Sequence, residues 1–105
     1  MRNFIDSNFD FRFANLKYMK LQGTIKLKQD IVTFDSGFKK QVIVLTVTDG
    51  KYEQHIPIEF LKDATDLLND FEAGQKCEVN INIRGSEWND KFYASIQGWK
   101  IEAKF

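Results

Sequence analysis

Trp88, Tyr93, Phe38 and Tyr52 each stand close to cations in the chain: Arg84 and Lys91 bracket Trp88, Lys91 precedes Tyr93, Lys39 and Lys40 follow Phe38, and Lys51 precedes Tyr52. Planar rings offer faces on which flat heterocycles stack, and lysine and arginine offer charge to phosphate oxygens. Those are the two things an unpaired nucleic-acid strand asks of a surface, with stacking worth ~1–3 kcal/mol per base. Catalytic chemistry finds less support. His55 is the only histidine; it lies near Glu53 and Glu59, with no serine or cysteine neighbour that would make a dyad. One histidine and one cysteine, Cys77, do not supply the ligand spacing of a metal site, and no glycine-rich phosphate loop occurs. Asp63, Asp66 and Asp70 share one helical face, which is read as a solvated face. No catalytic residue, metal ligand or cofactor is expected, and the protein is read as not an enzyme.

The elements that must position these residues follow from periodicity. Lys20–Phe34 begins with Leu21, Gly23, Ile25 and Leu27 alternating against Gln22, Thr24, Lys26 and Lys28, and reads as a long first strand. Gly23 marks a bend or bulge in it. Asp35-Ser36-Gly37 is a turn, and Gln41–Thr48 is a second strand, apolar at nearly every position. Asp49-Gly50 signals a hairpin into a third strand, Lys51–Phe60, where Pro57 implies an edge for part of its length. Leu61, Ala64, Leu67, Leu68 and Phe71 then recur at three and four residues, which predicts an amphipathic helix ended by Gly74. Lys76–Arg84 alternates as a fourth strand. Ser86–Lys91 reads as a polar loop holding Trp88, and Lys91–Lys104 as the last strand. In that strand Phe92, Ala94 and Ile96 are expected inward and Tyr93, Ser95 and Gln97 outward. A bulge at Gly98 would turn Trp99, Ile101 and Ala103 to the core.

Three strands, a helix and a hairpin, in that order, predict an all-β fold with one short helix. It is the five-stranded Greek-key barrel called the OB-fold, with its helix between strands 3 and 4. The outer face of strands 2 and 3, with the 1–2 and 4–5 loops, is where such barrels bind oligonucleotides. The expected nucleic-acid-binding residues are Trp88, Tyr93, Phe38 and Tyr52 for bases, and Lys39, Lys40, Arg84 and Lys91 for phosphates.

The chain has 105 residues, enough for one core, read as an N-terminal Phe-rich arm over 1–18 and an OB domain over 19–105. Phe9, Phe11 and Phe13 alternate with Asp10 and Arg12, so the arm is expected to pack as a short strand. Fifteen basic and fifteen acidic residues cancel, which argues against coating nucleic acid by bulk field but leaves room for a local groove. Nothing approaches the roughly 20 apolar residues of a membrane span. Met1–Asp10 has no apolar signal-peptide region, and a lone cysteine fits a reducing compartment, so a cytoplasmic protein is expected.

Three short motifs carry a resemblance: Lys39-Lys40-Gln41 opening strand 2, Arg84 followed by Trp88-Asn89 before the last strand, and Trp99-Lys100-Ile101-Glu102 near the end. With them the chain, from about Met19 to Glu102, resembles a family of small uncharacterised OB domains of bacteria and phages that are similar to single-stranded DNA-binding proteins. The 4–5 loop departs from that pattern, running Asp90-Lys91 where the family often has an arginine. The resemblance implies the fold and single-strand binding in replication, recombination or repair, with DNA favoured. The rival expectation is a structural or protein-interaction OB module docking a partner through strand 2 and the arm. Because strand 2 is apolar on both faces, a homo-oligomer, dimer or larger, is expected.

Overall fold

A computed structural model of the chain describes residues 19–104; the arm over 1–18 lies outside them. The strands are β1 (Met19–Lys28), β2 (Val32–Thr33), β3 (Lys39–Asp49), β4 (Tyr52–Leu61), β5 (Lys76–Trp88) and β6 (Lys91–Ala103). A 3-10 helix, Lys62–Leu68, joins β4 to β5. The sheet runs β1-β5-β6-β4-β3 and closes through β1–β3, so five strands form the OB barrel and β2 is a short addition beside β3. That addition shifts the numbering: the helix expected after the third strand follows β4.

One strand must serve both halves of a small barrel, and β1 does so. Met19–Thr24 pairs with β5 and Thr24–Lys28 with β3. The bulge that turns it lies between Ile25 and Leu27, later than the expected Gly23. Gly23 has another role: a Cβ there would run into the Thr46 carbonyl oxygen, so the strand crossing requires glycine. β1 ends at Lys28, because the chain leaves it to form the β2 turn.

Ile25, Ile43, Leu45, Ile58, Phe60, Leu68, Cys77, Val79 and Ile81 make the core. They are the inward halves of alternating strands, joined by one helical leucine. Burial raises the Cys77 thiol to about 11, which keeps it a neutral core group at physiological pH. Pro57 sits opposite Val44 on β3, while the other side of β4 meets β6 only at Glu59↔Gln97, the partial edge that proline implied.

The helix is tighter than the periodicity predicts. Lys62 begins it in the left-handed region, at φ 55°, and the Thr65 hydroxyl donates to the Lys62 carbonyl at 2.9 Å. A period of three brings Thr65 and Leu68 inward together, and it leaves Leu67 40% exposed where a 3.6 period would have buried it. Lys28 Nζ donates to the carbonyls of Leu68 and Phe71 at 2.8 and 2.9 Å, closing the helix over the open end of the barrel.

The last hairpin differs most from expectation. β5 continues through Ser86 to Trp88, so the loop shrinks to Asn89-Asp90, both at positive φ as a two-residue hairpin turn demands. Phe92 shares the face of Ile83 and Ile96, yet it is 78% exposed because the hairpin overshoots the end of the barrel. The bulge does fall beside Gly98, where Ile81 faces Gly98 and Asn80 faces Lys100. Trp99 is therefore the extra residue in the bulge and half-exposed, while Ile101 and Ala103 resume the inward register.

Candidate nucleic-acid interface

Directly paired residues in a β-ladder point to the same side, and successive pairs alternate. Trp88↔Lys91, Ser86↔Tyr93 and Arg84↔Ser95 therefore share one face of the β5–β6 hairpin, with Glu87↔Phe92 on the other. This face gathers four of the expected residues: two rings, Trp88 and Tyr93, and two cations, Arg84 and Lys91. Trp88 is 68% and Tyr93 50% exposed, so both rings offer a face to a ligand. A strand, not a loop, holds Trp88, which fixes its register against Lys91.

At the root of the hairpin Ala94, Ser95 and Ile96 stand across a groove of about 250 Å³ from Val42, Pro57 and Glu59. Val42↔Glu59 and Val44↔Pro57 place that wall on the outer face of β3 and β4. Val42 and Val44 are half-buried there, so this strand is apolar on both sides, as read from the sequence. Further along the same face the Thr46 hydroxyl meets His55 Nδ1 at 3.1 Å.

The remaining candidates separate. Tyr52, 67% exposed, faces Asp49 at the tip of the β3–β4 hairpin. Phe38, Lys39 and Lys40 lie at the opposite end of the same strands, where Lys40 faces Leu61. At about 3.3 Å per residue the two ends are on the order of 30 Å apart. They do not form one rim with each other, because a single hairpin carries them at its two ends. Lys40 is also occupied by Glu59, at 3.9 Å, a partly exposed pair of small energy.

Around Phe38 the structure adds two residues that the sequence did not single out. The Phe34 ring lies 5.8 Å from Phe38 at a 43° tilt, and Lys62 Nζ stands 5.9 Å from the Phe38 ring centroid. By sequence Phe34 reads as the end of a long first strand, whereas it lies past β2 (Val32–Thr33). Lys62 sits at a strand–helix junction whose left-handed backbone no residue type announces. Among the described residues no three His, Cys, Asp or Glu side chains are placed to hold a metal ion, and no helix is long and apolar enough to cross a membrane.

A family model matches residues 20–102, the whole barrel: the domain of unknown function DUF3127. The chain belongs to this family. The DUF3127 barrel also has solved structural neighbours. The dimeric N-terminal domain of PriB from Thermoanaerobacter tencongensis superposes with a TM-score of 0.64 at 16% identity, covering 84% of this chain and 96% of that one. The single-stranded DNA-binding protein of Thermus aquaticus gives 0.67 at 17% identity over 82% of this chain, which spans only 48% of that protein. Rim1, the mitochondrial single-stranded DNA-binding protein of S. cerevisiae, gives 0.67 at 11% identity, covering 81% and 91%. At these identities the likeness establishes the OB-fold. No curated protein sequence matches the DUF3127 chain.

Proposed function

We propose that this protein binds single-stranded DNA with little sequence preference and does no chemistry on it, serving replication, recombination or repair in the cytoplasm. One observation carries the reading: the hairpin face on which Trp88, Tyr93, Arg84 and Lys91 stand together. A base stacks on an indole or phenol whatever its identity, and the adjacent cations hold the phosphates on either side, which gives affinity without sequence readout. The groove between Ser95 and Glu59 leads the strand from the hairpin onto the β3–β4 face, the side that OB barrels offer to oligonucleotides. The likeness to two single-stranded DNA-binding proteins supports the same ligand. A net charge of zero fits a confined track better than a broad basic surface.

The test is a titration of the full chain with unstructured oligo-dT in low salt, followed by tryptophan fluorescence. Stacking on Trp88 should quench the signal to saturation. No change in signal and no retention of the oligonucleotide would exclude the proposal.

A homo-oligomer is the assembly that accompanies this reading. Val42 and Val44 on the outer face, with Leu27 48% exposed beside Val44, leave an apolar strip. With the Phe-rich segment over 1–18, it supplies apolar surface for a second copy. Sedimentation should show a dimer or larger species at micromolar concentration, and deletion of 1–18 should lower the assembly state while leaving a folded β domain. A monomer at high concentration would reject the oligomer.

A further inference from the structure

We infer that Lys62, with Phe34 and Phe38, forms a second anchor for the nucleic-acid strand, at the far end of the β3–β4 face from the hairpin. The inference rests on the single-strand reading and adds to it a residue and a place. Lys62 follows Leu61, the last residue of β4, and its φ of 55° puts it in a region that residues other than glycine, asparagine and aspartate rarely occupy. Glycine would hold that turn with less strain, so the backbone alone gives no reason for lysine. What lysine adds is an ammonium above a ring, 5.9 Å from the Phe38 centroid.

The platform beneath it is fixed. Phe34 N–H donates to the Phe38 carbonyl at 2.8 Å, and Gly37 N–H donates to the Phe34 carbonyl at 2.8 Å, closing the turn on which both rings stand. Phe34 lies against Phe38 and remains 45% exposed. It thus offers a base the open surface that half-buried Phe38 offers only in part. The charges divide in the same way. Lys40, the obvious cation at this end, is paired with Glu59. Lys62 is exposed and has no carboxylate within ion-pair distance among the described residues. A free ammonium beside an open ring matches the alternation of phosphate and base along a strand. The anchor would hold the strand where it leaves the β3–β4 face, with the groove between it and the hairpin.

The experiment measures binding of a dT oligomer of about 16 nucleotides, the long end of the site size of one OB-fold, to the full chain and to Lys62→Gly, Lys62→Asn and Lys62→Arg across salt concentrations. Glycine and asparagine both accept the left-handed backbone, so these neutral variants should unfold at or above the temperature of the unmodified chain. Loss of one phosphate contact should make the slope of log K against log salt shallower by ~0.7 and weaken binding on the order of eightfold at 50 mM salt. Lys62→Arg should keep the full slope. If the unmodified chain binds and both neutral variants keep its affinity and slope, Lys62 only packs on Phe38 and the inference is overturned while the single-strand reading stands. If the unmodified chain does not bind, both fall.

Discussion

Replacing Trp88 and Tyr93 together with alanine should nearly abolish oligo-dT binding while leaving the barrel folded. Each ring contributes ~1–3 kcal/mol if a base stacks on it, so the pair is worth about 2–6 kcal/mol, the upper end of which is on the order of 20,000-fold in affinity. The two sit on neighbouring same-face positions of β5 and β6, opposite Lys91 and Ser86, so a single strand would cross both. Their effects should therefore couple, and the double variant should depart from the sum of the single ones. Neither ring is in the core; with Trp88 68% and Tyr93 50% exposed, circular dichroism and the unfolding midpoint should change little. Trp88→Ala alone should remove most of the fluorescence response, because Trp99 lies in the bulge at the other end of β6. A folded double variant with unchanged affinity would take this face out of the site.

The largest loss of stability should come from Phe60→Ala, about 3–5 kcal/mol for a fully buried ring. That is a large share of the ~5–15 kcal/mol that holds a domain of this size folded. Phe60 lies on β4 beside β6, and its ring fills the space over Gly98, where a Cβ would come within 2.8 Å of both ring Cε atoms. Gly98→Ala should consequently destabilise the unmodified chain by about 1–3 kcal/mol through overpacking. In the Phe60→Ala background the same substitution should cost much less, since its obstacle has gone. Chemical denaturation of the four chains measures that coupling. Equal cost in both backgrounds would mean that the ring is not what requires glycine at 98.

The strand order and the OB barrel are legible in this sequence because alternation is strong in strands such as Cys77 to Ile83, and the unbroken apolar run from Val42 to Leu45 marks a strand between turn signals. Pro57 also means what it usually means, whereas Gly74, at φ 94°, turns the chain beyond a helix that has already ended at Leu68. Legibility fails where geometry depends on partners distant in the chain. The helix reads as a 3.6-residue pattern, yet the bond from Thr65 to the Lys62 carbonyl and the fit over the barrel end select a 3-10 turn. Phe92 has the right parity for the core, but parity says nothing about where the barrel stops and the hairpin runs on. Trp99 is displaced by a bulge whose register only the pairing with Asn80 and Ile81 defines. The cluster of Trp88, Tyr93, Arg84 and Lys91 follows from hairpin register and was accessible. The wide separation of Phe38 from Tyr52 follows from the length of the β3–β4 hairpin, and the same counting gives it. Lys62 was not accessible, since nothing in Leu61-Lys62-Asp63 signals a left-handed backbone.

The central claim, a cationic and aromatic track for one DNA strand, is tested most directly by the salt dependence of oligo-dT binding to the full chain. Three or four phosphate contacts, each contributing roughly −0.7, predict a slope of log K against log salt of about −2 to −3. Affinity should then fall by about a hundredfold to a thousandfold over one decade of salt. Tight binding at low salt with a slope in that range is the predicted result. Absence of binding at low salt, or a flat response, would contradict the account.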